Sequence, residues 1–208
     1  MFIIALCALC ASAAAQDTWF CDKPGTKLSY VKKDAKGAPE GVICEYTVKD
    51  KKVENGRTTI IYDIAIPGMP ATNGCSVWTE NGLFHSDAQA AIGQVGAGLK
   101  AEGNAPVVPV NPSIGDQLAD CSIKIESLML TTEYKKIKFT ANGYITVPAG
   151  SFDCWCLEYD VVDTAMGLKA ESHVQQWMAK GIGDVKVITT DKRGRVLSER
   201  QLTSVVNP

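Results

Sequence analysis

The chain has 208 residues, of which 46% are hydrophobic and 21% charged, and its formal net charge is -2. That length suits one sizeable core or two small ones. A near-neutral balance, without a basic cluster among aromatic residues, argues against nucleic acid and against an anionic membrane surface as partners.

The chain opens with an uncharged apolar run, residues 1–15, which ends in small residues. Ala13 and Ala15 fit the A-x-A pattern of a signal-peptide cleavage site, although no Lys or Arg precedes the run. The run is shorter than the roughly 20 residues of a membrane-spanning helix, so we expect no transmembrane segment in the mature chain. We predict an exported protein in the periplasm, on the outer-membrane surface or outside the cell, with a lipid anchor as the alternative.

The first half of the mature chain predicts successive β-hairpins, because β-rich segments alternate with polar turns. The predicted strands are 26–33, 41–49, 57–66 and a short hairpin over 75–84. In the last of these, Asn81-Gly82 supplies the positive φ angles of a two-residue hairpin turn.

One helix is predicted, over residues of about 87–100. Ser86 is a candidate cap, and the apolar residues of this segment recur at helical spacing: Ala88, Ala91, Ile92, Val95 and Leu99. Three glycines weaken it by up to about 1 kcal/mol each relative to alanine, so we expect its stability to come from docking on the sheet. The proline-rich stretch 104–112 predicts an extended connector.

The second half predicts further antiparallel strands, centred on residues 144–163. With about ten strands and short connections, we expect a single curved antiparallel sheet that closes towards a barrel. Composition does not change along the chain, so residues 16–208 are predicted to form one domain.

The central strand should place alternate side chains on opposite faces. Phe152 is then on one face, and Trp155 is on the other. We hypothesise that Trp155, Trp177, Tyr144 and Phe152 line a ligand cavity. Core packing without a ligand is the competing interpretation, because aromatic side chains also fill small barrels.

Six cysteines follow the predicted signal peptide, and an even number in an exported chain favours disulfides. The candidates are Cys21, Cys44, Cys75, Cys121, Cys154 and Cys156. Cys154 and Cys156 are two residues apart on one strand, roughly 6.5–7 Å, so we expect each to pair with another strand. A redox pair or half a metal site is the alternative, but a second pair with metal-site spacing is missing.

Titratable residues do not form a recognisable catalytic pattern. His85 and His173 lack an identifiable nucleophile and orienting acid, so we expect surface or capping roles. Four carboxylates lie on the central strand and its end, and alternation splits them between its faces, which disfavours a glycosidase: Asp153, Glu158, Asp160 and Asp163. We therefore predict no catalytic residue, no metal ligand and no cofactor, and a protein that is not an enzyme.

Three segments of the C-terminal half resemble TapB-like exported bacterial proteins. These are Gly115–Asp120, Val147–Cys154 and Trp177–Lys186, in that order. Asp184 departs from the family pattern, which has an apolar residue after Gly183. The resemblance implies a curved antiparallel barrel of the kind seen in periplasmic lipoprotein carriers, and it carries no established activity.

Three functions remain open from the sequence. The first is a non-enzymatic cell-envelope protein whose β-barrel binds an apolar, amphipathic or lipid-like ligand. The second is a disulfide-stapled structural or protein-interaction module with a partner in the envelope. The third is a thiol oxidoreductase that uses Cys154 or Cys156.

Overall fold

A computed structural model describes residues 18–33, 36–91 and 99–208. Thirteen strands form one sheet in which neighbours run antiparallel. They are β1 Lys27–Lys33, β2 Pro39–Glu54, β3 Arg57–Ala65, β4 Thr72–Glu80, β5 Leu83–Ser86, β6 Glu102–Gly103, β7 Val108–Pro109, β8 Cys121–Ile125, β9 Leu130–Val147, β10 Gly150–Ala165, β11 Leu168–Ala179, β12 Gly183–Asp191 and β13 Val196–Val206. The prediction of a mainly β, antiparallel fold is confirmed, with thirteen strands instead of about ten.

The strand order is β6-β8-β9-β10-β11-β12-β13-β1-β2-β3-β4-β5-β7. Two meanders, β1–β5 and β8–β13, therefore meet where β1 pairs with β13 near the two ends of the described chain. The outermost described strands, β6 and β7, do not pair with each other, so the curved sheet stays open. Residues 104–107 connect these two edge strands, which places the predicted connector across the gap.

Several hairpins turn through two residues with positive φ. Asn55 and Gly56 have φ angles of 50° and 78°. Asn81 and Gly82 have φ angles of 51° and 75°. This conformation matches the twist of the flanking strands and suits asparagine and glycine. Met166-Gly167, between β10 and β11, adopts the same angles, 50° and 81°. The predicted hairpin at Asn81-Gly82 is confirmed.

The one α-helix in the described part of the chain, α1, spans Ala88–Ala91. The carboxylate of Asp87 accepts a hydrogen bond from the backbone N–H of Ala90, so Asp87 caps this turn and not the predicted Ser86. Most of the predicted helix falls on residues 92–98, which lie outside the described residues. Within the described ranges, a helix long and apolar enough to cross a bilayer is absent.

One end of the sheet is filled by a core that includes the N-terminal segment. Trp19 is 1% exposed; its ring stacks on Phe139 with centroids 6.3 Å apart, and its Nε1 donates to the carbonyl of Pro109 at 2.9 Å. The amide of Gly181, in the turn between β11 and β12, donates to the carbonyl of Thr18 at 2.8 Å. We call this the plug end, because residues 18–21 are buried there.

The opposite end carries the turns between β8 and β9, β10 and β11, and β12 and β13. It contains the space described next, and we call it the cavity end. The cavity reaches the plug end as well, because Trp19 and Phe20 belong to its wall.

Candidate functional site

A cavity of about 700 Å³ lies on the inner face of the sheet. Both meanders contribute to its wall, which is rich in aromatic and aliphatic side chains. The aromatic members include Tyr30, Tyr46, Tyr62, Phe84, Tyr134 and Tyr159. Ligand pockets in proteins typically measure about 300–1,000 Å³ and are mostly apolar with a few placed polar groups, so this cavity has the size and character of a binding site.

A row of polar side chains crosses the cavity wall, one from each of six neighbouring strands. We call it the polar belt; in strand order it consists of Tyr159, Gln176, Asp184, Arg200, Tyr30 and Tyr46. Each residue points to the same face because strand side chains alternate, and the curl of the sheet brings the six together. The belt is a product of strand register, since its members are far apart in sequence.

Hydrogen bonds link most of the belt into a chain. The Tyr159 hydroxyl donates to Gln176 Oε1 at 3.1 Å, and Gln176 Nε2 donates to Asp184 Oδ1 at 2.6 Å. Arg200 pairs with the other oxygen of Asp184, and its Nη1 donates to the Tyr46 hydroxyl at 3.4 Å. The ion-paired side chains are each 20% exposed, so solvent screens the pair only weakly.

The electrostatics keep the belt polar but nearly neutral overall. Burial alone would lower the pKa of the Arg200 guanidinium, but Tyr46 and Asp184 outweigh it and the pKa is raised, so Arg200 stays charged. Burial also raises the pKa of the Tyr159 hydroxyl, which therefore remains a hydrogen-bond donor. One cation beside one anion leaves donors and acceptors in the wall without a large net charge.

One donor in the belt is unused. Tyr30 is 1% exposed and its hydroxyl has no hydrogen-bond partner among the described residues, although the Arg200 guanidinium lies 5.2 Å from its ring centroid. Burial raises the pKa of this hydroxyl well above its ordinary value, so it keeps its proton. A buried polar group without a partner costs free energy, which an acceptor from a bound molecule would recover.

The four residues predicted to line the cavity lie elsewhere. Tyr144 is 79% exposed, and Trp155 packs edge-on against Phe139, with ring centroids 6.0 Å apart. Trp177 and Phe152 are half-buried against the core. None of the four is in the cavity wall.

The pairing of β10 with β9 shifts register between Cys156 and Leu157, where β9 contributes one extra residue, Thr140. Cys154 and Leu157 both belong to the core, although strict alternation would place them on opposite faces. From Leu157 onward the odd-numbered residues, including Tyr159 and Val161, line the cavity. The central strand therefore contributes its second half to the site, and the predicted aromatic residues belong to its first half or to the neighbouring strands.

The predicted disulfides are not formed, because none of the six cysteines in the described chain is disulfide-bonded. The register explains this: Cys44 lies opposite Tyr30, Cys75 opposite Tyr62, and Cys121 opposite Tyr134. The remaining three, Cys21, Cys154 and Cys156, likewise lack a cysteine partner. Strand pairing thus separates the thiols that the even number of cysteines predicts to be disulfide-bonded.

The thiols are also poorly suited to redox chemistry. Burial, aided by Asp153, raises the pKa of Cys154 to about 12, and burial raises the pKa of Cys156. The thiolate is the reactive form, so a raised pKa makes both thiols poor nucleophiles near neutral pH. The oxidoreductase hypothesis loses its physical basis.

His173 lies outside the cavity, in a charged cluster. Its Nδ1 is 3.0 Å from Asp160 Oδ1 and its Nε2 is 3.8 Å from Glu158 Oε2, while Lys136 Nζ reaches the second oxygen of Asp160 at 3.0 Å. The His173 hydrogen bond, with help from Lys136, lowers the pKa of Asp160. The Lys136 contact is an ion pair, and the two His173 contacts are polar contacts on the same partly exposed surface.

His85 stacks on Trp78 with ring centroids 5.1 Å apart, and the Arg57 guanidinium lies 4.5 Å from the Trp78 ring centroid. Partial burial lowers the pKa of His85. Neither histidine lines the cavity. Within the described ranges, three or more metal-ligating side chains do not converge anywhere.

A model of the DUF3108-like family matches residues 23–202. One similar solved structure is a candidate exported protein with a YmcC-like fold from Bacteroides fragilis, 13% identical, with a TM-score of 0.79. Another is a candidate lipoprotein from Parabacteroides distasonis, 19% identical, with a TM-score of 0.77. Each match covers 92% of this chain and 100% of the other, and at this identity it shows a shared fold. Curated proteins gave no match.

Proposed function

The chain belongs to the DUF3108-like family, and from its cavity we propose that it is an exported, non-enzymatic protein of the cell envelope that binds one amphipathic molecule. Export is supported by the apolar leader pattern at residues 1–15 and by the two similar structures, which are described as candidate exported and lipoprotein molecules. The closer relationship to TapB-like proteins stays a prediction from the sequence motifs.

The observation that carries the binding proposal is the polar belt inside a cavity whose wall is rich in aromatic and aliphatic side chains. An acyl or other apolar portion of the ligand would contact side chains such as Leu157, Val174 and Val187. Its polar group would meet the belt, where Tyr30 has a free hydroxyl and Arg200 is already neutralised by Asp184. An uncharged or zwitterionic headgroup with a hydrogen-bond acceptor fits this arrangement best, because a second full charge would disturb the buried pair.

The alternative of a disulfide-stapled interaction module is weaker. Its main support was the even number of cysteines, and none of the six that the structure describes is disulfide-bonded. A cavity with a buried polar belt is also not needed for a purely structural role, because apolar packing would stabilise such a module at lower cost.

The binding proposal is tested by two substitutions at successive residues of β12. Val187 lines the cavity, whereas Ile188 follows it on the strand and does not line it. Val187→Trp should fill the space and reduce the binding of a fluorescent monoacyl lipid at least about tenfold, while Ile188→Trp should bind like the wild type. Equal binding by both variants would place the lipid outside the cavity.

A second test concerns the Tyr30 hydroxyl. Because the Tyr30 hydroxyl is already unpartnered, Tyr30→Phe should leave the free energy of unfolding unchanged or raise it slightly. If that hydroxyl donates to the headgroup, the same variant should bind the lipid about three- to tenfold more weakly. A loss of stability without a loss of affinity would assign the hydroxyl to the fold instead.

A further inference from the structure

An exposed apolar patch lies at the cavity end of the molecule. We call it the tip patch: Leu128 and Met129 at the turn before β9, and Met166 and Leu168 at the turn between β10 and β11. Met129, Met166 and Leu168 are 64%, 75% and 78% exposed, and Leu128 is 40% exposed. The two turns are neighbours, because Ala165 lies opposite both Leu130 and Leu168. Four large apolar side chains on adjacent turns are unusual for a surface that faces only water.

The backbone at this patch disfavours the residues that occupy it. Met129 and Met166 have φ of 46° and 50°, in the left-handed region that bulky side chains rarely adopt. At the equivalent turn position, the chain uses Asn55 and Asn81 elsewhere. Methionine therefore sits where a polar residue would suit the local conformation better, and an exposed thioether side chain gains no packing in return.

The patch adjoins residues that line the cavity. Ile125 and Leu130, which flank the first turn, both line the cavity, and so do Val161 and Asp163 near the end of β10. Trp19 lines the cavity from the plug end. A molecule that enters or leaves the cavity from this end would pass the exposed methionines.

Cationic side chains surround the patch. The carboxylates of the nearby turns are paired: Glu126 with Lys124 at 2.9 Å, Glu171 with Lys192 at 2.9 Å, and Asp191 with Arg195 at 2.6 Å. Lys169 follows Leu168 directly, and Arg193 lies in the next turn, since Ser172 pairs with Asp191. Within the described ranges neither Lys169 nor Arg193 has an ion-pair partner. The Asp163 carboxylate, which accepts from the Thr132 hydroxyl, also lacks a cation, so these three side chains leave an excess of one positive charge.

We propose that the tip patch docks the mouth of the cavity onto a lipid bilayer that carries anionic headgroups. Flexible methionine and leucine side chains enter the apolar boundary, and Lys169 and Arg193 contact the phosphates. This combination of shallow apolar insertion and flanking cations fits a bilayer interface better than a shaped protein partner. The inference goes beyond ligand binding and does not depend on it.

The test is flotation of the mature protein with vesicles of phosphatidylcholine containing about 30% phosphatidylglycerol, compared with pure phosphatidylcholine. The wild type should float with the anionic vesicles and lose that binding as salt rises. Met129→Asn combined with Met166→Asn should reduce vesicle binding about tenfold or more, without lowering the melting temperature, because asparagine suits both φ angles. The matched control is Tyr144→Asn, which removes an equally exposed apolar side chain near the plug end and should bind like the wild type.

A second variant, Lys169→Glu with Arg193→Glu, should abolish the preference for anionic vesicles. Absence of wild-type binding at low ionic strength, or equal binding by the methionine variant, would overturn the proposal. A dimer that dissociates in the methionine variant, measured by light scattering, would also overturn it by assigning the patch to a second copy of the chain. Binding of soluble monoacyl lipid reports on the cavity separately and should be the same in both tip variants and the wild type.

Discussion

The ion pair between Asp184 and Arg200 joins the neighbouring strands β12 and β13 on the inner face of the sheet. Arg200→Met should lower the free energy of unfolding by about 2–4 kcal/mol, because it leaves the Asp184 carboxylate largely buried without its cation. Urea denaturation measures this. Arg195→Met, which breaks a pair whose arginine is 74% exposed, should cost less than about 1 kcal/mol. Similar losses in the two variants would mean that the inner pair is well solvated.

The charged cluster around His173 should make the stability of the protein depend on pH. Its hydrogen bond lowers the pKa of Asp160, so His173→Ala should raise that pKa, as measured by carbon NMR titration of the carboxyl group. A lowered folded pKa stabilises the protein above the unfolded value of about 3.9 and loses this effect as pH falls through the folded value. The stability gap between wild type and variant should therefore narrow in acid. Because Asp160 is 35% exposed, the gap should be only a few tenths of a kcal/mol. An unchanged Asp160 pKa would contradict this.

Among the larger elements, the N-terminal segment seals the plug end. Trp19→Ala should cost about 3–5 kcal/mol, since it removes a buried indole that stacks on Phe139 and donates to the Pro109 carbonyl. Guanidinium denaturation provides the measurement. Tyr144→Ala removes an aromatic side chain that is 79% exposed and should change stability by less than about 0.5 kcal/mol. If the alanine variant of Trp19 unfolds with wild-type stability, residues 18–21 are not part of the core.

The hairpin turns permit a paired prediction of opposite sign. Met166→Asn should raise stability by about 0.5–1 kcal/mol, because asparagine tolerates a φ of 50° and Met166 is 75% exposed. Asn81→Met, at a matching φ of 51°, should lower stability by a similar amount. Thermal melting of both variants gives the comparison. A destabilising Met166→Asn would show that the methionine packs against its own turn.

For the molecule as a whole, the sequence predicts what depends on local pattern. Alternation and turn residues anticipate the meanders, the hairpin at Asn81-Gly82 and the short helix after Ser86. These features are encoded within a few residues of one another, so pairing partners are not needed to recognise them. The connector over 104–112 is recognisable for the same reason, from its prolines.

Features that depend on register were missed. The cavity meets β10 only in its second half, and the register keeps the cysteines apart. The polar belt gathers one residue from each of six strands, which sequence spacing cannot reveal. One signal was present: Asp184 replaces an apolar residue of the resembled family pattern, and it lies at the centre of the belt.

The most direct test of the central claim is native mass spectrometry of the protein isolated from its own envelope, followed by lipid extraction. We expect one bound amphiphile per chain in the wild type and in Ile188→Trp, and none in Val187→Trp. Ligand binding in the cavity would be contradicted if the folded wild-type protein carried no ligand. It would also be contradicted if the Val187→Trp variant carried as much ligand as the wild type.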